Sequence, residues 1–142
     1  MLFGKRERTI RRILIVEDEP LVAFDNEHLL REAGYDVVAT VESVADALEV
    51  INHEPLDLVL SDIRLSGEGD GTDVARAAAA KGIPVLFVSG HCPIEAQKLA
   101  IGCLAKPYND KTLKAVLGTL DKKLQGRKVK KVPDGLSLYE QA

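Results

Sequence analysis

The 142-residue sequence contains no tryptophan, three phenylalanines, three tyrosines and two cysteines. It has no apolar run of about 18 residues, so it predicts no membrane-spanning helix, and no apolar N-terminal run indicates export. Cys92 and Cys103 lack the Cys-x-x-Cys spacing of a redox or metal motif. A chain of this length can bury a sufficient core without disulfides. We therefore expect one cytoplasmic domain in a reducing setting, with Cys103 as a small buried apolar side chain.

The net charge of -3 combines two regions of opposite sign. Residues 13–121 contain 8 Lys and Arg against 19 Asp and Glu, whereas 1–12 and 122–142 together contain 11 against 3. Basic ends on an acidic domain are most simply solubilising or weakly self-attracting, and contact with nucleic acid or a protein partner is the alternative. We expect neither nucleic-acid nor membrane binding. The predicted division is a basic N-terminal segment at 1–11, a domain at 12–125 and a basic and apolar tail at 126–142.

Short apolar segments alternate with helix-like segments along the chain, which is typical of a parallel sheet covered by helices on both faces. Each apolar segment has the length of a strand and ends at a polar or turn-forming residue. The five predicted strands span residues 12–16, 36–41, 56–61, 84–88 and 102–105.

The first predicted helix begins at Pro20, a residue that suits the first helical position, and ends at Gly34. Ser43 is expected to cap a second helix that ends before Pro55, and Thr72 a third that ends at Gly82. The apolar face of the first helix is predicted to comprise Leu21, Phe24, His28, Leu29 and Leu30. Two further helices are predicted, a short one at 94–100 and a longer one at 110–124.

Polar side chains follow four of the predicted strands at the point where each strand ends. In an open parallel sheet these carboxyl ends form one edge, where ligands bind. The residues at this edge are Glu17, Asp18, Ser61, Asp62, Ser89, Gly90 and Lys106. Taken singly, each of them is most simply a cap or a solvated boundary. Their convergence at one edge favours a shared chemical role.

Carboxylates without histidine or thiolate neighbours suit a hard cation such as Mg²⁺, which also binds phosphate oxygens. Asp62 can then act as a nucleophile toward a phosphoryl group. The Lys106 ammonium can offset phosphoryl charge, and the Ser89 hydroxyl can donate to a phosphoryl oxygen. We expect Asp18 to contact the metal directly and Glu17 to act through a water.

Four segments, "LIVEDEP", "DLVLSDIRL", "VLFVSG" and "CLAKP", resemble in their order the signature segments of the receiver domain of bacterial two-component response regulators. The resemblance implies a doubly wound α/β fold with a five-stranded parallel sheet in the flavodoxin-like order 2-1-3-4-5. It also implies roles for residues at the edge. These are Asp62 as phosphoacceptor, Glu17 and Asp18 as the acidic pair, Ser89 as the switch hydroxyl, Lys106 as the phosphoryl-contacting lysine, and the Arg64 carbonyl as a metal ligand.

The sequence departs from the receiver pattern in three places. Cys103 stands where receivers usually carry an aromatic residue, so the usual coupling through an aromatic ring cannot operate. The interval between Ser89 and Lys106 is shortened, which predicts a reduced fourth helix. The segment "LSGEGDG" has three glycines and lacks the usual proline, so we expect a mobile loop. "LFVSGH" loosely resembles the Phe-Ala-Thr-Gly-aromatic motif of a stand-alone alphaproteobacterial subfamily, in which some members act in the general stress response.

The resemblance implies a single-domain response regulator rather than an enzyme. It accepts a phosphoryl group on Asp62 from a histidine kinase or histidine phosphotransfer protein, uses Mg²⁺, and signals by protein contact or by competing for phosphoryl groups. The expected oligomeric state is a monomer or a weak dimer linked to phosphorylation. Two alternatives remain open. One is a phosphorylation-independent binding module, and the other is an aspartate-nucleophile phosphatase, although "VEDEP" lacks the Asp-x-Asp motif of those enzymes.

Overall fold

The computed structural model describes residues 8–140. The basic N-terminal segment predicted at 1–11 therefore lies mostly outside the described residues, as do positions 141 and 142 of the predicted tail. The elements in chain order are β1 (Arg12–Val16), α1 (Pro20–Glu32), β2 (Asp36–Val41), α2 (Val44–His53), β3 (Leu58–Asp62), α3 (Gly71–Ala80), β4 (Val85–Ser89), a 3₁₀ helix (Ile94–Lys98), β5 (Gly102–Ala105), α4 (Asp110–Leu124) and β6 (Leu136–Leu138).

The strands form one sheet in the order β2-β1-β3-β4-β5-β6. The first five pair in parallel, which confirms the flavodoxin-like order predicted from the sequence. β6 pairs antiparallel with β5, and the sequence interpretation did not include this strand. The tail therefore extends the sheet by one strand at its β5 edge.

Side chains of the central strands alternate between two apolar layers, as the two-residue period of a strand requires. Ile13 and Ile15 belong to the layer packed against α1 and α4, whereas Leu14 and Val16 belong to the layer packed against α2 and α3. Both faces of the sheet are therefore covered. This coverage explains why β1, β3 and β4 appear in the sequence as continuous apolar runs.

Local signals placed most of the helix ends, with one exception among the caps. Ser43 caps α2 by accepting the Asp46 N–H at 3.2 Å, as predicted. α3 is capped by Asp70 rather than by Thr72, since the Asp70 carboxylate accepts the Thr72 N–H at 2.8 Å. The predicted apolar face of α1 is also wrong in part. Leu21 and Phe24 are 75% and 69% exposed, and His28 is exposed as well. The helix buries Leu30, as predicted, together with Ala23 and Asn26, which were not predicted.

The interval after β4 contains a five-residue 3₁₀ helix in place of a full fourth helix, as the shortened spacing indicated.

The strand β6 lies so close to β5 that a Cβ atom on Gly102 would stand 2.7 Å from the Ser137 carbonyl oxygen. Leu136 and Tyr139 are buried by this contact. Glycine at position 102 is therefore a requirement of the docked tail.

Replacing Gly102 by valine is expected to displace β6 and lower the free energy of unfolding by about 2 kcal/mol, because the added side chain overlaps backbone and uncovers apolar surface. The control is Gly118→Ala in α4, where a Cβ meets nothing within 4 Å. That exposed helical site should gain about 1 kcal/mol. Urea unfolding monitored by circular dichroism measures both values. A Gly102→Val protein as stable as the wild type would show that the tail is not docked.

Basic side chains near residue 8, where the described part of the chain begins, contact acidic and aromatic side chains of the domain. The Arg12 guanidinium lies 3.1 Å from Asp36 and 3.2 Å from Glu54, and the Arg8 guanidinium lies 4.1 Å from the centre of the Tyr35 ring. These contacts give part of the basic N-terminal excess a structural role. Within residues 8–140, no helix has both the length and the apolar character needed to cross a membrane.

Candidate functional site

Three carboxylates meet at the carboxyl ends of β1 and β3. Glu17 and Asp18 follow β1 directly, and Asp62 ends β3. One carboxylate oxygen from each of the three lies within 4.8 Å of the others. The sheet brings them together because β1 and β3 are parallel neighbours, with Val16 opposite Ser61. The predicted acidic cluster is therefore present in the fold.

Glu17 is the most buried of the three, with 5% of its surface exposed. Its Oε2 accepts the Glu19 N–H at 3.1 Å, which holds the carboxylate over the start of α1. Burial raises the pKa of Glu17, although the Glu19 N–H and the Lys106 ammonium act in the opposite direction. The buried carboxylate therefore depends on nearby positive charge.

The Lys106 ammonium supplies that charge from the end of β5. Its Nζ lies 2.9 Å from Asp62 Oδ2 and 3.2 Å from Glu17 Oε1. Burial acts to lower the pKa of Lys106, but its hydrogen bonds and charge interactions with Asp62 and Glu17 outweigh burial and raise it. Lys106 is therefore held in its charged form between two carboxylates.

The donor set fits a hard divalent cation such as Mg²⁺. Three carboxylates share one ammonium, which leaves excess negative charge, and all the clustered ligand atoms are carboxylate oxygens. Asp18 is the least engaged with Lys106 and is half-buried at the open side of the cluster. The Arg64 N–H donates to Asp62 Oδ1 at 3.3 Å, and the role of the Arg64 carbonyl as a metal ligand stays a prediction.

Ser89 lines the same cleft but its hydroxyl is engaged elsewhere. The cleft has a volume of about 530 Å³, and its lining includes Asp62, Lys106, Ser89, Gly90 and His91. Ser89 Oγ donates to the His91 carbonyl at 2.7 Å and accepts the His91 N–H at 3.2 Å. To donate to a group on Asp62, the hydroxyl must first leave the His91 carbonyl.

Sequence reasoning missed two residues that shape the site. Ser66 Oγ donates to Asp18 Oδ2 at 2.7 Å and so orients one of the clustered carboxylates. Gly71 passes so close to the end of β3 that a Cβ atom there would overlap the Asp62 carbonyl oxygen. Both lie in or beside "LSGEGDG", so its serine and closely spaced glycines were the available signal. The expected mobility of this loop stays a prediction.

The cysteines are joined, contrary to the expectation of an unpaired, buried Cys103. Cys103 is fully buried in β5, as predicted, but it forms a disulfide with Cys92 in the segment after β4. The Cα atoms are 6.2 Å apart. Sequence spacing could not reveal the pair, because the two residues meet only when β5 pairs with β4. The position where receivers usually carry an aromatic residue is thus cross-linked to the cleft segment.

The sequence and the fold match those of known proteins. A family model described as response regulator receiver domain matches residues 13–118. The transcriptional regulatory protein PdtaR of Mycobacterium tuberculosis is 37% identical over 78 residues, covering 55% of this chain and 38% of PdtaR. The phyllosphere-induced regulator PhyR of Methylorubrum extorquens is 27% identical over 114 residues, covering 74% of this chain and 41% of PhyR.

A solved structure shows the same fold with a metal. The receiver domain of a sensor histidine kinase from Pseudomonas aeruginosa, described with a magnesium ion coordinated in its active site cleft, is 25% identical and has a TM-score of 0.67. The match covers 82% of this chain and 98% of that domain. The chain spans about 40% of the length of the two curated relatives. Since the family model covers most of the sequence and the structure has the matching sheet order and acidic cluster, the chain belongs to the response regulator receiver domain family.

Proposed function

We propose that this chain accepts a phosphoryl group on Asp62 from a phosphohistidine of a histidine kinase or histidine phosphotransfer protein. The supporting observation is the placement of Asp62, which is clustered with the acidic pair, lies 2.9 Å from the Lys106 ammonium and lines one cleft with Lys106 and Ser89. Asp62 lines a cleft of about 530 Å³ together with the exposed Gly90, so a donor imidazole has room to approach Asp62. Such chemistry depends mainly on positioning and on stabilisation of charge.

In the transfer step, an Asp62 carboxylate oxygen attacks phosphorus. The O–P bond forms while the N–P bond to the donor histidine breaks, and the imidazole leaves with the electron pair of that bond. The product is an acyl phosphate on Asp62. Water can later attack this product and return the free carboxylate, so slow self-dephosphorylation is expected and classical enzymatic turnover is not.

Lys106 and Ser89 have separate roles in this proposal. Lys106 lies 2.9 Å from Asp62 Oδ2, so its charge is available to the phosphoryl oxygens as they arrive. Ser89 exchanges its hydrogen bond to the His91 carbonyl for one to a phosphoryl oxygen. That exchange requires the segment after β4 to change conformation. This segment is therefore the first part of the molecule to respond to phosphorylation of Asp62.

When bound, Mg²⁺ would neutralise part of the negative charge that the carboxylates and the incoming phosphoryl group bring together. Asp18 and Asp62 are proposed to hold it directly, with Glu17 acting through a water and Arg64 contributing its carbonyl. The excess of carboxylate over ammonium charge supports this assignment. Ser66 keeps the Asp18 carboxylate oriented toward the cluster through its 2.7 Å hydrogen bond.

The proposed output is a protein contact or competition for phosphoryl groups. The 3₁₀ helix, β5, β6 and α4 form the side of the domain next to Ser89, so a change there can alter a partner's binding. The similarity to PhyR, from an alphaproteobacterium, is consistent with the narrower resemblance noted in "LFVSGH". A place in the general stress response is part of the same proposal.

Incubation with acetyl phosphate and Mg²⁺ tests the assignment of Asp62. On a gel that retards phosphoproteins, the wild type and an Asp46→Asn control should shift, because Asp46 is exposed on α2 and does not line the cleft. Asp62→Asn should not shift. Intact mass should show one added phosphoryl group on the wild type and none on Asp62→Asn. Equal modification of the wild type and Asp62→Asn would refute the assignment. An unmodified wild type would favour the phosphorylation-independent binding module.

A further inference from the structure

We infer that Cys92 and Cys103 form a reversible redox modification site that controls how readily the Asp62 cleft takes up a phosphoryl group. The inference rests on the proposed function, because it assigns a second input to the same cleft. Its structural basis is the disulfide, which ties the wall of the cleft to the neighbouring strand. The remaining arguments concern what the disulfide holds, which sulfur can react and what reduction releases.

The disulfide closes a loop over residues 92–103, which begins three residues after Ser89, the residue with the proposed switch hydroxyl. Cys92 lies three residues after Ser89 and one after His91, whose backbone engages the Ser89 hydroxyl in both directions. Pro93, the next residue, lines the cleft. Because Ser89 ends β4 and Cys92 is cross-linked to β5, the backbone that makes the His91 to Ser89 hydrogen bonds is anchored at both ends.

The other end of the cross-link is immobile. Cys103 is fully buried in β5, where it lies opposite Phe87 of β4 and Ser137 of β6. A disulfide to this position ties Cys92 to β5, which lies in the sheet between β4 and β6. Without that bond, Cys92 is held by its partly buried contact with the apolar layer on the α2 and α3 face, while Gly90 and His91 are exposed. The redox state therefore changes the freedom of the segment and leaves the sheet intact.

The two sulfurs differ in access, which determines the course of the exchange. Cys92 is half-buried at the surface, so a thiolate of a dithiol reductant can attack its sulfur. The Cys92–Cys103 bond breaks, Cys103 leaves as the thiolate and takes up a proton, and a mixed disulfide forms on Cys92. The second thiol of the reductant then attacks the sulfur of the mixed disulfide that belongs to the reductant. This step releases Cys92 as a thiol. Two electrons and two protons pass from the dithiol to the protein, and the reductant becomes a disulfide.

In the oxidised protein, the held segment favours the Ser89 hydrogen bond to the His91 carbonyl over one to a phosphoryl oxygen. Reduction lets the segment rearrange, so the hydroxyl can turn into the cleft at lower cost. We expect reduction to tighten binding of a phosphoryl mimic by about tenfold, within the usual range of coupling between two sites. By the same linkage, the mimic should make the reduced form harder to oxidise.

The experiment titrates the full chain with beryllofluoride and Mg²⁺, before and after treatment with dithiothreitol. Alkylation followed by intact mass counts free thiols in each sample, and backbone amide shifts of Ser89 and His91 report binding. Wild type should show no free thiols when oxidised, two when reduced, and about tenfold tighter binding in the reduced form. Cys92→Ser is the matched control, and it should bind with the affinity of the reduced wild type whether or not dithiothreitol is present.

Each alternative outcome contradicts a defined part of the inference. A disulfide that the dithiol leaves intact in the native protein refutes a reversible site. Reduction that leaves the affinity equal or weaker refutes the coupling, and so does a Cys92→Ser protein that responds to dithiothreitol. If neither redox form binds beryllofluoride while the thiol count changes as expected, both the phosphoacceptor proposal and the coupling that depends on it are refuted, and the reversible disulfide alone is established.

Discussion

Replacing Lys106 by methionine is expected to lower the free energy of unfolding by about 2 kcal/mol in the absence of divalent metal. Its ammonium lies 3.2 Å from Glu17 Oε1 and 2.9 Å from Asp62 Oδ2, and Glu17 is almost completely buried. Methionine preserves most of the apolar stem but leaves both carboxylates without their counter-charge. Removing one partner of a buried ion pair is costly, and partial exposure of the lysine reduces that cost here.

The same substitution is expected to strengthen Mg²⁺ binding by about tenfold, because the ammonium competes with a cation for the same two carboxylates. Urea unfolding with and without Mg²⁺ measures the first effect, and calorimetric titration measures the second. Lys114→Met on the exposed side of α4 is the matched control and should change neither value beyond about 0.5 kcal/mol. Unchanged stability and Mg²⁺ affinity in Lys106→Met would show that the lysine does not compensate the acidic cluster.

Replacing Asp18 by asparagine is expected to weaken Mg²⁺ binding by about a hundredfold, which corresponds to about 2.7 kcal/mol. The substitution removes a charge that the proposed site uses directly, while its amide oxygen can still accept the hydrogen bond from Ser66. Without metal, the same variant should be more stable than the wild type by about 1 kcal/mol, because three clustered carboxylates repel one another.

Thermal unfolding with increasing Mg²⁺ distinguishes the two effects of Asp18→Asn. The wild type should gain melting temperature as the metal concentration rises, since a ligand of the native state stabilises it. Without Mg²⁺, Asp18→Asn should have a higher melting temperature than the wild type, and added Mg²⁺ should raise that temperature much less. Ser66→Ala is the control for the hydrogen bond, and it should retain most of the metal response because all three carboxylates remain. A full Mg²⁺ response in Asp18→Asn would exclude Asp18 as a direct ligand.

The parallel core could be predicted because its signals are local. Continuous apolar runs identified β1 to β5 within a few residues, and Ser43 and Gly34 marked helix ends through their intrinsic capping preferences. β6 was not predicted, although "LSL" after Gly135 has the apolar-polar alternation of a half-buried strand. Three residues of alternation are too short to predict a strand until the edge of β5 is available to pair with them.

The candidate site could be assembled from the sequence because strand ends in a parallel sheet share one edge. Glu17, Asp18, Asp62 and Lys106 do meet there, as expected. The sequence did not indicate that Ser89 would bond to the His91 backbone or that Ser66 would orient Asp18. Those contacts depend on loop conformations, which are determined by backbone geometry and neighbouring packing more than by residue type.

The amino-acid sequence by itself determined the order of β1 to β5 and the helices between them, the acidic edge and the family, because apolar periodicity, capping preferences and the signature segments are properties of neighbouring residues. The tertiary structure decided which distant residues touch. It paired Cys92 with Cys103, docked β6 on Gly102 and turned the Ser89 hydroxyl to the loop. The first two contacts require the sheet to form first, since strand pairing brings segments from different parts of the chain within bonding distance. The Ser89 contact with His91 depends on the conformation of the loop that follows β4.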